Sequence, residues 1–379
     1  MSHTNKFFFT KNEIEGQPKL WIETIKSISQ NGDISNFLKP LFDKQRLNIV
    51  LTGAGTSAYI GETTEHLFSY GNGISAKAIS TTTLITHFAN YIDTSIPLLL
   101  ISFARSGNSP ESIGTVDIAE SLCDEAYHIA LTCNQNGKLA QKIDNLQNGI
   151  AVLLPPESED KGLAMTGSFT SLVLSSIFLA HKYSESFDKT QIDEVAESAH
   201  NGIIEPASDL KSLSYKEFER IVFLGSGPLQ GIAKESHLKV QELTDGRIVG
   251  KFDSFMGFRH GPKAVVNDHT VLVFLFSHDD RVFQYEKDLV EEILQDGIAM
   301  HCLGIFCNQN QADQLELDQK IVFNLDERAK HSDFNVLLYV LPAQILGFYK
   351  SLQLGLNPDS PSQNNVISRV VKGVTIYPT

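Results

Sequence analysis

The sequence predicts an α/β protein in which one parallel-sheet αβα sandwich occurs twice, behind a helical leader. Three observations predict it. Apolar runs of strand length alternate with periodic segments of helix length through most of the 379 residues. The order of elements then recurs once, at an offset of about 172 residues. Each copy opens on an apolar run that breaks into a Gly-x-Gly turn, Gly53-Ala54-Gly55 and Gly225-Ser226-Gly227.

Taken in order, residues 1–44 read as helical and peripheral, with Ile22, Ile25 and Ile28 at helical spacing around Trp21. Asn48–Thr52 reads as a strand, Gly53–Ser57 as a turn and Ala58–Tyr70 as a helix with Ile60, Leu67 and Phe68 inward. A strand at Ser75–Ser80 and a helix around Thr83–Tyr91 follow. Leu98–Ile101 is an unbroken apolar run, the mark of a strand covered on both faces. Ser109, Pro110 and Glu111 then signal a helix start: a capping hydroxyl, a ring that needs no N–H and an acid at the positive end. The first copy continues with a helix (Ile113–Glu125), a strand (Ala126–Thr132), a short helix (Lys138–Lys142), a strand (Ile150–Leu154) and an apolar helix (Phe169–Tyr183).

In the second copy Ile221–Leu229 matches Ile49–Ser57, and Val271–Leu275 matches Leu98–Ser102. The residues CNQN recur at Cys133–Asn136 and Cys307–Asn310, a strand at Ile321–Leu325 matches that at Ile150, and the helix at Phe334–Leu354 matches Phe169. The join falls near Ser186–Ser214. The expected division is 1–44, 45–200 and 201–379, with a composite site at carboxyl strand ends.

A formal charge of −14 disfavours nucleic acid and anionic membrane as partners, without excluding a local anion pocket. No apolar run reaches the roughly 18 residues of a membrane span, and the first residues lack a secretory core, so a cytoplasmic protein is expected. Cys123, Cys133, Cys302 and Cys307 lack paired C-x-x-C spacing and read as reduced thiols.

Two stretches carry the chemistry. Leu98–Ser112 ends a strand in Ser106-Gly107-Asn108-Ser109 at a helix N-terminus, where free N–H groups converge on one spot. That is a physical site for a phosphate, and Arg105 adds a charged fork. An ordinary βα loop explains the stretch equally well. Gly55, Thr56 and Ser57 make a similar turn. It resembles a dinucleotide fingerprint, but the second strand ends in Ser80–Thr83 with no acid for a ribose, which counts against NAD. In Glu235–Pro262, the residues Glu235, Lys239 and Glu242 stand at i, i+4 and i+7, on one helix face. A solvated stripe is the usual reason for such spacing. Here the helix follows the second Gly-x-Gly turn, and a carboxylate beside an apolar wall suits a general base. Arg259-His260-Gly261-Pro262 presents one imidazole on a sharp turn.

These stretches together, GAGTS, SGNSPES, KVQE and RHGP in tandem, resemble the double sugar isomerase (SIS) domain family over about residues 45–379. The resemblance implies two tandem SIS domains, each of flavodoxin-like type. Among members, the run Gly250–Pro262 and the ending from Asn357 look most like the tagatose-6-phosphate ketose/aldose isomerase group. Bacterial members of that group are associated with galactosamine-6-phosphate deaminase/isomerase activity. The isomerase half of glucosamine-6-phosphate synthase is a second point of comparison.

By this resemblance Thr56, Ser57, Ser106 and Ser109 are phosphate-binding residues, with Arg105 compensating for Ala104, where the synthase has a serine. Glu242 matches the acid that moves a proton between the first two sugar carbons, and Lys239 and Glu235 line that site. His260 matches the ring-opening histidine, usually donated by a neighbouring subunit, and Lys372 a lysine near the sugar. Gly55 and Thr166 line the substrate. Gly167 stands in place of a synthase lysine, and two extra residues separate Glu242 from His260; both departures bear on which sugar is taken. The resemblance further implies a homodimer or higher oligomer, a hexose-phosphate substrate, no metal and no cofactor. Without a glutaminase domain, ammonia would pass to or from solution. The rivals are a plain tagatose-6-phosphate ketose/aldose isomerase, a glucosamine-6-phosphate deaminase-like enzyme, and a non-catalytic phosphosugar-binding regulator, against which last Glu242, Lys239 and His260 together argue.

Overall fold

The computed structural model describes residues 7–68, 73–184, 188–204, 207–371 and 373–377. They form two compact units that alternate along the chain. The first-sheet unit takes Lys19–Glu159, Gly167–Lys189 and Ser368–Thr379, and the second-sheet unit takes Met1–Pro18, Asp160–Thr166 and Thr190–Ile367.

The first sheet is parallel, with strands β1 (Leu47–Thr52), β2 (Ile74–Ala78), β3 (Leu98–Ala104), β4 (Ala126–Thr132) and β5 (Gly149–Leu153) in the order β2-β1-β3-β4-β5. This is the flavodoxin-like order, whose switch point lies between the first and third strands. Every residue of β3 is buried, as its unbroken apolar run requires. Helices α1 (Phe9–Ser29, from Lys19 on), α2 (Gly32–Phe42), α3 (Thr56–Thr64), α4 (Thr81–Tyr91), α5 (Pro110–Leu122), α6 (Lys138–Asp144) and α7 (Gly167–Ser184) complete this unit. Val50, Leu100, Phe88 and Val116 belong to one buried core.

The second-sheet unit holds the first turns of α1, then α8 (Lys189–Ile204) and α9 (Ala207–Ser214). Its sheet has strands β6 (Arg220–Gly225), β7 (Val249–Asp253), β8 (Thr270–Leu275), β9 (His301–Phe306) and β10 (Gln319–Val322), in the order β10-β9-β8-β6-β7. Read from its far edge, this is the first sheet's order again. Helices α10 (Pro228–Leu243), α11 (Phe255–Phe258), α12 (Asp280–Asp296), α13 (Gln309–Ala312), α14 (Glu327–Lys330) and α15 (Val336–Gln353) flank it. Phe276 stacks on Phe306 at 4.4 Å in its core. α15 is apolar on nearly all sides and buried, as the composition of such a helix demands.

The two Gly-x-Gly turns share one backbone. Gly55 has φ 56° and ψ −129°, and Gly227 has φ 54° and ψ −126°, a region that side-chain-bearing residues avoid. A Cβ on Gly53 would lie 2.5 Å from the Ser57 carbonyl carbon, and one on Gly225 would collide with the Leu229 carbonyl. The CNQN identity is also turn architecture. The Asn134 side chain accepts the Asn136 N–H at 2.9 Å, and Asn308 accepts that of Asn310 at 3.0 Å.

Several sequence expectations shift. Asn48 pairs with Leu98 and Arg220 with Thr270, so Leu98 corresponds to Thr270 and not to Val271. Strand β8 starts on a buried threonine, which an apolar-run reading skips. The N-terminal helix is not peripheral: Trp21 is fully buried and its indole N–H donates to the Thr170 hydroxyl at 2.9 Å. The join contains helices α8 and α9; Ser186 itself lies outside the described residues. The helix expected at Ala58–Tyr70 is α3 followed by a tighter turn over Glu65–Phe68, and Tyr70 lies outside the described residues.

Candidate active site

The second-sheet unit holds the charged stripe. Pro228 at the first position of α10 needs no N–H partner, and the helix packs on α15 where Gly347 leaves no room for a side chain: a Cβ there would lie 2.8 Å from Leu243 Cδ1. On α10 the Lys239 Nζ stands 3.2 Å from Glu235 Oε1 and 2.6 Å from Glu242 Oε2. Lys239 and Glu235 are fully buried, while the Glu242 side chain keeps 22 % exposure. This is no solvated stripe. Burial pushes the Lys239 ammonium down, yet Glu235 and Glu242 outweigh it and the net direction is up. The helix therefore carries one buried cation shared by two carboxylates, one of them partly exposed.

His260 is exposed on the turn after α11, its N–H bonded to the Gly257 carbonyl at 2.9 Å, with Gly261 at φ 120° behind it. Thr166 is buried; its N–H and hydroxyl both donate to the Asp160 carboxylate, at 2.7 and 3.0 Å. Lys372 lies outside the described residues.

The first-sheet unit brings its two loops to the carboxyl ends of β1 and β3, which are neighbours in the sheet. Gly55 is exposed, and Thr56 and Ser57 are buried at the start of α3. Ser106 and Ser109 are half-buried in the loop before α5. That loop is braced from the β4–α6 connection. Asn134 Nδ2 donates to the Ser106 carbonyl at 3.0 Å, the Leu139 N–H to the Gly107 carbonyl at 2.9 Å, and the Lys138 N–H to Asn108 Oδ1 at 3.2 Å. Ser109 stands at the expected N-cap but does not cap. Its hydroxyl donates instead to Glu111 Oε2 at 2.5 Å. Arg105 is buried and its Nη2 donates to the Arg369 carbonyl at 3.0 Å, in the chain's final segment. Arg369 in turn pairs with Glu159 at 3.1 Å.

The SIS domain model matches residues 41–182. The D-galactosamine-6-phosphate deaminase AgaS of Shewanella sp. (strain ANA-3) is 38 % identical over 376 residues, 98 % of this chain and 92 % of that one. The chain belongs to the AgaS family of SIS-domain proteins. The AgaS of Escherichia coli is likewise 38 % identical, over 98 % of this chain and 96 % of its own. The solved tagatose-6-phosphate ketose/aldose isomerase from Escherichia coli aligns with a TM-score of 0.88 at 36 % identity, covering 98 % and 96 % of the two chains. A glucosamine-6-phosphate deaminase from Thermotoga maritima, at 22 % identity and a TM-score of 0.72, shares the fold.

Sequence reasoning missed some polar residues of this frame. Thr52 Oγ1, Thr81 Oγ1 and Ser102 Oγ are buried without a hydrogen-bond partner among the described residues. Thr52, the last residue of β1, and Ser102, inside the otherwise apolar β3, are register partners, and that paired interruption was the available signal. Glu286 on α12 was also missed. Its Oε2 accepts the Ser277 N–H at 2.9 Å, and burial, opposed by the Ser226 hydroxyl and that N–H, pushes its carboxyl up to about 7.

Proposed function

We propose that this chain converts an aldohexosamine 6-phosphate, galactosamine 6-phosphate foremost, to the ketose phosphate and ammonia. The observation that carries the reading is the buried Lys239 held between Glu235 and Glu242, with only Glu242 open. A carboxylate fixed in this way, partly desolvated and backed by a cation, suits proton transfer at carbon.

The residues divide the work. Thr56, Ser57, Ser106 and Ser109, with Arg105, hold the phosphate, and holding it fixes the reacting carbons in place. Gly55 lets the chain approach the ligand, and Thr166 lines the sugar. His260 helps open the ring; exposed on its own subunit, it is suited to serve a twofold mate in a homodimer. Glu242 takes the proton from C2 of the open aldehyde, giving an enolamine, and returns it to C1. The product is a C2 imine, which adds water and expels ammonia to leave the 2-keto sugar. Lys239 offsets charge that develops on the C1 oxygen, and Lys372 is assigned to the same sugar.

Relatives named galactosamine-6-phosphate deaminase and tagatose-6-phosphate isomerase support this choice, because tagatose 6-phosphate is the ketose such a deamination leaves. The same proton shuttle without an amino group gives a plain isomerase. No described helix is long and apolar enough to cross a membrane, and a cytoplasmic site of action fits a phosphosugar substrate. The deciding experiment is a coupled ammonia assay over galactosamine 6-phosphate, glucosamine 6-phosphate and tagatose 6-phosphate. Ammonia from the first, faster than from the second, is expected. Interconversion of tagatose 6-phosphate with its aldose, with no ammonia from either amino sugar, would overturn the deaminase reading.

A further inference from the structure

The segment Asp160–Thr166 is irregular chain within the second-sheet unit, so its backbone N–H groups have no ladder to join. Acidic residues meet several of them. Glu13, on the second turn of α1, accepts the Lys161 N–H at 2.5 Å and the Gly162 N–H at 3.3 Å. Asp160 accepts the N–H and the hydroxyl of Thr166, closing the segment on itself. The Asp359 carbonyl accepts the Leu163 N–H at 3.0 Å. The Asp359 carboxylate then ties down the start of α1, accepting the Phe9 N–H at 3.0 Å and both the N–H and hydroxyl of Thr10 at 2.8 Å. The fit is close at Gly162, where a Cβ would lie 2.8 Å from the Thr10 hydroxyl and 3.1 Å from Glu13 Oε2.

Gathering acids in this way is unfavourable in itself. Burial, then the neighbouring Asp160 and also Asp359, push the Glu13 carboxyl up to about 7, against the two N–H groups that pull it down. A cluster that pays this cost is expected where the geometry it imposes is used.

We propose that Glu13, with Asp160 and Asp359, is a positioning residue of the active site: its carboxylate fixes the backbone at Lys161 and Gly162 and thereby sets where Thr166 stands. The proposal rests on the reading that Thr166 lines the sugar. It gives the N-terminal helix a part in substrate recognition, although that helix precedes both sheets.

The test uses the full chain with Glu13→Ala, Glu13→Gln and Gly162→Ala. It reads amide exchange at Lys161 and Gly162, and KM and kcat for ammonia release from galactosamine 6-phosphate at pH 6 to 8. In Glu13→Ala, exchange at both amides should speed up about tenfold or more, as expected for losing a charged acceptor, and KM should rise about tenfold with kcat changed far less. Glu13→Gln keeps an acceptor, so its KM should stay within about threefold of wild type and lose the wild type's variation of KM through pH 7. Gly162→Ala, which disturbs the contact without touching a charge, should raise KM like Glu13→Ala and covers the case in which that variant fails to fold. Faster exchange with unchanged KM in either variant would make Glu13 a mere anchor and end the proposal, as would unchanged exchange. A wild type that releases ammonia from no amino-sugar phosphate would instead remove the reading of Thr166, and the substrate role of Glu13 with it, whatever the exchange shows.

Discussion

Replacing Lys239 by Met tests the buried stripe most directly. Methionine keeps most of the bulk of the stem and removes the ammonium. That ammonium lies 2.6 Å from Glu242 and 3.2 Å from Glu235. At an effective dielectric of about 20 these separations correspond to ~6 and ~5 kcal/mol of gross attraction, set against a desolvation cost of several kcal/mol per ion. In the variant Glu242 can turn to water, but Glu235 is fully buried. Its escape is to bind a proton. Neutralising a carboxyl of ordinary pKa near ~4.3 at pH 7 costs ~4 kcal/mol, within the ~3–5 kcal/mol typical of a broken buried pair. The sign follows. In the variant the folded-state pKa of Glu235 rises above its unfolded value, so the variant recovers stability as pH falls towards that unfolded value and loses it as pH rises. The deficit should therefore shrink from ~4 kcal/mol at pH 7 to ~1 kcal/mol at pH 5. Urea unfolding of wild type and variant at pH 5, 6, 7 and 8 measures it. A deficit independent of pH would mean that no charge is stranded, and the reasoning would fail. Adding Glu235→Gln to Lys239→Met should recover most of the loss at pH 7.

Three further outcomes are expected. Glu242→Gln should lower kcat for ammonia release by ~10²–10⁴ or more, the range for a lost general base, with sugar-phosphate affinity within a few-fold by calorimetry; wild-type turnover would remove Glu242 from the mechanism. Ser57→Ala and Ser106→Ala should each raise KM by about 10- to 100-fold with kcat little changed, as expected for one hydrogen bond to a charged phosphate; equal losses on a substrate lacking the phosphate would reassign them. Glu286, with its carboxyl lifted from 4.5 to about 7, holds stability that is fully present below about 4.5 and lost as pH rises through about 7, worth ~3 kcal/mol. Glu286→Gln should flatten the pH dependence of unfolding over that window, and an unaltered slope would contradict it.

Much of the fold was legible because its signals are local. Seven of seven residues in β3 are buried, as its apolar run announces, and β4 spans the residues expected of it. The Gly-x-Gly repeat marks a backbone conformation that only glycine takes readily, so it survived where side chains diverged. What escaped depends on contacts distant in sequence. Trp21 looked peripheral because nothing near it reveals Thr170, and nothing near Glu13 reveals Gly162, which lies far along the chain. In the stripe on α10 the spacing and the setting against an apolar wall were visible, but the complete burial of Lys239 and Glu235 was not, since Gly347, the residue that lets α15 close on the helix, stands about a hundred positions away.

The two copies also explain why one backbone serves two ends. After β3 the loop offers Ser106 and Ser109 hydroxyls, braced from behind by Asn134, and the helix that follows carries Val116 seven residues beyond its N-cap. After β8 the corresponding helix has N-cap Asp279 and carries Glu286 at the same distance. Glu286 reaches back to the Ser277 N–H, so that a carboxylate of the protein already takes one of that loop's donors. An arriving phosphate would find that donor already occupied. In the second copy α10 keeps the glycine geometry of the first at its N-terminal turn, while its length, 16 residues against nine in α3, carries Lys239 and Glu242 past the point at which α3 ends. Under the proposed roles, a longer α10 and a loop after β8 already met by Glu286 would assign holding the substrate to one copy and moving its proton to the other.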